Sequence, residues 1–94
     1  MSAHVDLAVI GGGISGLAAA WEGRRQGARV AVFEAGPRPG GTLRTSPLAG
    51  VALDEAADAF LARVPDAVDL CTELGLATEL VSPATGSAYV WLDG

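Results

Sequence analysis

The residues best placed to do chemistry are three glycines and one acid. Gly11, Gly13 and Gly16 fit the spacing G-x-G-x-x-G within Val9-Ile10-Gly11-Gly12-Gly13-Ile14-Ser15-Gly16-Leu17. At that spacing the first glycine allows a sharp turn, the second lets backbone approach a pyrophosphate, and the third lets a helix sit close to a strand. The helix that follows would offer unpaired N–H groups and the positive end of its dipole to the phosphates. Glu34 stands roughly twenty residues further on, where an acid can accept hydrogen bonds from ribose hydroxyls. Together these residues specify the binding of a dinucleotide rather than bond-making chemistry. No residue presents itself as an acid, base or nucleophile. The cluster Asp54, Glu55 and Asp58 reads as solvated loop carboxylates.

The elements needed to position these residues can be read around them. Residues 5–10 form an apolar run of strand length with Asp6 as its only charge. Ile14, Leu17, Ala18 and Trp21 recur at helical spacing, Gly27 ends the helix, and residues 29–34 read as a second strand. The expected class is therefore α/β, a Rossmann-type βαβ unit. A βαβ unit with no nucleotide is the alternative that the pattern alone leaves open. Ala35-Gly36-Pro37-Arg38-Pro39-Gly40-Gly41 can be neither helix interior nor central strand and is expected to form a fixed, tight loop lining the same ligand. Residues 42–46, a turn at Pro47-Leu48-Ala49-Gly50 and a strand at 51–53 suggest a β-hairpin beside the parallel sheet. Residues 54–63 are ambiguous. Pro65 is suited to the first position of a helix that stops at Gly75, with Asp66 and Asp69 near its positive end. Residues 88–92 have strand composition, and Asp93-Gly94 is a hairpin signal with no return strand after it.

Composition narrows the function classes. The chain has 94 residues, one domain at most, and half of them are hydrophobic, which suits a packed α/β unit. A net charge of −5 and the absence of a basic stripe argue against nucleic-acid binding. The single cysteine, Cys71, cannot form an internal disulfide or a zinc cluster. Its spacing with Ala67, Leu70 and Leu74 reads as a small buried hydrophobe. His4 has no visible metal partner and reads as exposed, and Arg24 and Arg25 as a solvated helix face. The first apolar run is too short for a secretory signal or membrane span and lacks a basic flank, so the expected location is cytoplasmic.

Residues 9–41 resemble the start of the flavin-containing amine oxidase superfamily. Gly11-x-Gly13-x-x-Gly16-x-x-x-Ala20, with Gly27 after it, follows the flavoprotein version of the fingerprint. The second motif of that superfamily, R-x-G-G-R-x-x-[S/T], is matched by Arg38-Pro39-Gly40-Gly41-Thr42-Leu43-Arg44-Thr45. Position 42 departs from it, carrying Thr where a basic residue is common, which removes a cationic contact but not a backbone one. The later runs Ala59-Phe60-Leu61-Ala62-Arg63 and Ser82-Pro83-Ala84-Thr85-Gly86 with Ala88-Tyr89-Val90-Trp91 look like bacterial protoporphyrinogen/coproporphyrinogen oxidases.

The resemblance implies FAD as cofactor and places the 94 residues as the N-terminal part of an FAD/NAD(P)-binding domain. The larger flavoprotein would have two domains, with the remaining strands and the substrate pocket elsewhere. It implies FAD contacts from Gly11, Gly12, Gly13, Ile14, Ser15, Gly16, Glu34, Ala35, Gly40, Gly41 and Thr42. A further loop matching Ala56, Ala57, Asp58 and Ala59 would approach the flavin, although Ala56 stands where glycine is usual. The implied reaction, in heme biosynthesis, removes six electrons from a porphyrinogen in three rounds, each reducing oxygen to hydrogen peroxide. Protoporphyrinogen and coproporphyrinogen are not distinguished, and peripheral membrane association is left open. Another enzyme of the superfamily, a carotenoid desaturase or an amine oxidase, is a second reading. A truncated, non-catalytic fragment is a third.

Overall fold

The computed structural model describes residues 4–94. The chain divides into two compact units, Met1–Ala59 and Phe60–Gly94.

The first unit begins with strand β1 (Leu7–Ile10), helix α1 (Ile14–Arg25) and strand β2 (Val30–Phe33). The two strands are parallel, pairing Leu7 with Val30 and Ile10 with Phe33. β1 starts one residue after Asp6 for a visible reason. The Asp6 carboxylate accepts the backbone N–H of Arg29 at 2.8 Å and its guanidinium at 3.0 and 3.1 Å, so the acid pins the two strand starts together. Those bonds, the guanidinium's first, hold the Asp6 carboxyl below the usual aspartate range. α1 ends at a left-handed Gly27 (φ +89°), with Gly27 N–H donating to the Arg24 carbonyl and Ala28 N–H to the Gly23 carbonyl. This is the two-bond glycine stop that satisfies a helix's last carbonyls.

α1 lies on the sheet through its small residues. A Cβ on Gly16 would come within 3.2 Å of Val9 Cγ1, and one on Gly23 within 2.7 Å of Leu7 Cδ2. Gly16, Ala20 and Gly23 therefore mark the sheet-facing side. At about 100° per residue, the stripe Ile14, Leu17, Ala18 and Trp21 falls on nearly the opposite side. The stripe whose spacing indicated the helix is therefore not its sheet side: Ile14 and Leu17 are exposed, and Ala18 and Trp21 half-buried. Spacing identified a helix, but it could not tell which side met the strands.

Strands β3 (Thr45–Leu48) and β4 (Val51–Asp54) form the expected hairpin. Its turn is the two residues Ala49 and Gly50, both left-handed (φ +51° and +80°), which matches the twist of paired strands. Pro47 lies inside β3 rather than in the turn. It falls one residue from the hydrogen-bonded pair Leu48 and Val51, so its missing N–H costs no ladder bond. Nor is the hairpin added to the parallel sheet, for β3 and β4 form a separate two-stranded sheet. The preceding loop is tied back over the glycine turn, Gly40 N–H to the Gly12 carbonyl at 2.8 Å. The chain therefore enters β3 from beyond the end of β1 rather than along a strand edge.

The second unit contains helix α2 (Pro65–Glu73), with Pro65 at its first position and Asp66 in its first turn, and a 3-10 turn (Ala77–Glu79). Gly75 (φ +76°) stops α2 in the same way as Gly27 stops α1, with Leu76 N–H donating to the Cys71 carbonyl. Cys71 is half-buried rather than buried. Residues 88–92 form no strand; an extended segment needs a partner ladder, and Tyr89 and Trp91 are 93% and 90% exposed.

Among the described residues no hydrophobic side chain is buried. The uncovered face of the β1–β2 sheet carries Ala8, Ile10, Ala31 and Phe33, and Ile10 is 82% exposed. Ala49 is the sole non-glycine residue with positive φ among those described, a conformation costing about 1 kcal/mol for an L side chain. Ala49→Gly or Ala49→Asn should therefore stabilise the hairpin by about that amount, read as roughly fivefold stronger exchange protection of the Leu48 amide. Unchanged protection in both variants would show that the turn carries no strain.

Candidate functional site

The glycine turn leaves β1 at Gly11, whose φ of +101° only glycine adopts without strain. Its N–H donates to the Phe33 carbonyl at 2.8 Å, extending the strand pairing by one bond. Gly16 comes so close that a Cβ there would lie 2.0 Å from the Gly11 carbonyl oxygen. The turn and the helix start are thus locked together by the absence of two side chains.

Gly13 caps α1 with extended backbone, and no side chain caps the helix or adds an acid to its first turn. The first helical bond runs from Leu17 N–H to the Gly13 carbonyl at 2.9 Å. The amides of Ile14, Ser15 and Gly16 precede it and have no acceptor within the helix. A Cβ on Gly13 would meet nothing within 4 Å, so there is open space beside the cap residue of the helix. An anionic group would find there several N–H donors and the positive end of the helix dipole.

Gly12 lies between Gly11 and Gly13 and is the one buried residue among those described. Both its backbone groups are satisfied. Its N–H donates to Glu34 Oε1 at 3.0 Å, and its carbonyl accepts Gly40 N–H at 2.8 Å. Glu34 Oε2 accepts the N–H of Gly36 at 2.6 Å. The amides of Gly36 and Gly12, and to a lesser degree Ala35, hold the Glu34 carboxyl below the usual glutamate range. A carboxylate has about four acceptor sites, so the exposed group can still receive a hydroxyl.

The loop after Glu34 stands against the turn. Gly40 (φ +114°) and Gly41 (φ +58°) are left-handed, and a Cβ on Gly41 would lie 3.2 Å from Gly13 Cα. The structure thus brings together Gly11, Gly12, Gly13, Gly16, Glu34, Gly40 and Gly41. Ile14 and Ser15 open the helix beside them, and Ala35 and Thr42 are exposed in the adjoining loop. Ala56, Ala57, Asp58 and Ala59 follow β4 as exposed irregular backbone and take no part in the bonds that assemble the turn. Of the neighbouring acids, Asp54 accepts from the Thr45 hydroxyl at 2.5 Å, and Glu55 accepts from the Ser46 hydroxyl and forms an ion pair with Arg44 at 3.5 Å, all in or beside the hairpin. The sequence places Gly36 in the tight loop but gives no sign of its bond to Glu34, and it assigns no role to Gly23. Gly23 sits seven residues after Gly16, two helical turns along the same side, and that repeat was the available signal.

The comparison with known families agrees with this geometry, matching an NAD(P)-binding Rossmann-like domain over residues 9–74. The chain belongs to that family. As a Rossmann-like domain, it carries the family's glycine turn, crossover helix and second-strand acid in the arrangement just described. The chain is also similar to the coproporphyrinogen III oxidase of Propionibacterium freudenreichii subsp. freudenreichii, 42% identical over 85 residues, covering 90% of this chain and 16% of that protein. It is similar to protoporphyrinogen oxidase 2, chloroplastic/mitochondrial, of Arabidopsis thaliana, 43% identical over 70 residues, covering 74% of this chain and 14% of that one. A solved structure of a putrescine oxidase redesigned in its cofactor binding superposes with a TM-score of 0.68 at 38% identity, covering 76% of this chain and 16% of that one. The chain therefore spans about a sixth of the length of the proteins it resembles. Among the described residues no helix is long and apolar enough to cross a membrane.

The glycines of this Rossmann-like domain separate into positions where packing excludes a side chain and positions where it does not. Gly16→Ala forces a Cβ into a backbone oxygen and should lower stability by about 1–3 kcal/mol or more. Gly13→Ala, with open space and an ordinary φ, should stay within about 0.5 kcal/mol of the parent. Urea denaturation of the two variants measures both, and equal losses would mean that the turn has been misassigned.

Proposed function

We propose that these 94 residues form the adenosine-diphosphate side of the FAD site in a porphyrinogen oxidase. Such an enzyme would convert coproporphyrinogen III or protoporphyrinogen IX to the porphyrin, with oxygen reduced to hydrogen peroxide. The observation that carries this reading is the extent of the similarity. The 42% identity to a coproporphyrinogen III oxidase extends over 90% of the chain, well beyond the glycine fingerprint common to Rossmann-type dinucleotide sites.

The residues present fit the ADP part of FAD. Open space beside Gly13 adjoins uncapped helix amides, as a pyrophosphate requires. The exposed Glu34 carboxylate keeps acceptor capacity beyond its amide bonds for a ribose hydroxyl. Ile14, Ser15 and Gly16 would supply N–H groups, while Gly40, Gly41 and Thr42 would form the wall beside them. Bound FAD supplies the redox chemistry, and the protein supplies binding, orientation and electrostatics. No group in the described residues is arranged to move a proton, so any such residue would belong to a larger protein of which this chain is the N-terminal domain part. Placement in the cytoplasm, and oxygen as the electron acceptor, belong to the same proposal.

A second reading, an oxidase of amines, is favoured by the superposition on putrescine oxidase. Assay of the full-length gene product separates the two. Porphyrin fluorescence should rise with coproporphyrinogen III or protoporphyrinogen IX, and peroxide should not appear with putrescine; the reverse pattern would establish the amine reading. For the cofactor, Glu34→Ala should weaken FAD retention about ten- to a hundredfold. Gly13→Ala should impair it more than Gly12→Ala, because its methyl enters the phosphate space. A parent protein that purifies without FAD and does not take it up would refute the flavin assignment.

A further inference from the structure

Recognition of ribose does not account for all that Glu34 touches. Without any ligand its two oxygens already accept backbone amides from opposite sides, Gly12 N–H on Oε1 and Gly36 N–H on Oε2. The Gly12 peptide in turn receives Gly40 N–H on its carbonyl. Three segments, the glycine turn, the end of β2 and the loop of residues 35–41, are joined through one carboxylate and one buried peptide unit. We infer that Glu34 is a positioning residue, which assembles the seat at Gly13 before any nucleotide arrives by fixing Gly12 and, through it, the Gly40–Gly41 corner. The inference rests on reading Gly13 as the phosphate seat, but it concerns bonds within the protein and not the bond to ribose.

The chemistry of the two partners makes a carboxylate necessary. Both face it with N–H groups, so the residue between them must accept twice and donate nothing. Glutamine would turn an NH2 toward one of the amides, and a protonated carboxyl would do the same with its O–H. Steric fit agrees: a Cβ on Gly36 would lie 3.2 Å from Oε2, and one on Gly12 3.4 Å from the Glu34 side chain. Few other charges bear on the group. β1, the glycine turn and the first turn of α1 contain no titratable side chain, and the loop of residues 35–41 contributes only Arg38, whose guanidinium donates to the Pro39 carbonyl at 3.1 Å.

The sign of the pH effect follows. Because amide bonding depresses the Glu34 carboxyl, the clasp is complete at neutral pH. It is lost as pH falls through the lowered folded value, below the ordinary glutamate range. The test is an amide NMR titration of the ligand-free 94-residue protein from pH 7 downward. Gly12 and Gly36 should shift together in one transition below that range, and exchange protection of the Gly40 amide should fall about tenfold or more across it. Protection of the β1–β2 ladder should persist through the same step. In Glu34→Gln the transition should vanish, with Gly40 unprotected already at pH 7. If that variant does not fold, the parent titration decides alone. Gly40 protection that survives the Glu34 transition would overturn the inference, and so would its loss together with the β1–β2 ladder. The titration needs no cofactor, so a protein that shows it yet fails to bind FAD supports the clasp and counts against the flavin reading only.

Discussion

The first unit depends on the approach of two stretches of backbone with no side chain between them. Gly40 N–H reaches the Gly12 carbonyl at 2.8 Å, and Gly41 stands where a methyl group would touch Gly13 Cα. On the loop side the approach calls for glycine, because Gly40 and Gly41 are both left-handed and a Cβ on Gly41 would crowd Gly13, and it leaves Gly12 buried between them. A buried peptide unit must have its N–H and carbonyl satisfied, or the cost approaches that of a lost hydrogen bond. Glu34 and Gly40 satisfy the two groups of Gly12, one each.

The same economy of side chains fixes the helix. Gly16 and Gly23 let α1 rest on Val9, Leu7 and Val30 at distances that no larger residue would allow. This close contact directs the start of α1 at the ends of both strands, where Gly11 has just extended their pairing and Glu34 emerges from β2. No hydrophobic side chain is fully buried within the described chain, and Ile10 and Phe33 on the opposite sheet face and Ile14 and Leu17 on the outward helix side are exposed. Order at the site therefore comes from hydrogen bonds and glycine geometry. Those are directional interactions, suited to holding amides in a fixed array even where burial is slight.

Much of this was legible in the sequence because glycine and proline act locally. The turn at Gly11 to Gly16, the stops at Gly27 and Gly75, the start of α2 at Pro65 and the site of Glu34 follow from residue type and position, without knowledge of distant partners. What was not legible depended on partners. The apolar stripe of α1 has helical spacing whichever side meets the sheet, and the glycine side met it. Residues 88–92 have the composition of a strand, but composition does not supply a neighbouring ladder. The hairpin was legible as a hairpin, but its separation from the parallel sheet depends on partners that residue type does not reveal. Gly36 looked like any loop glycine, and only the fold shows its N–H on Glu34.

The electrostatics of the site follow from the same choice of backbone over side chain. The chain is acidic overall, its glycine turn is uncharged, and position 42 carries Thr rather than a base. A diphosphate placed before Gly13 would meet no lysine or arginine on the turn or the first helical turn, and Arg38 is engaged with the Pro39 carbonyl. Attraction would come instead from oriented amides and the α1 dipole, whose reach is confined to the first turn. Glu34, the nearest acid, would repel a phosphate if its charge were free. Two amide hydrogen bonds instead draw that charge toward Gly12 and Gly36. An acid could therefore stand beside a bound phosphate, because the backbone around it would also neutralise part of the acid's field.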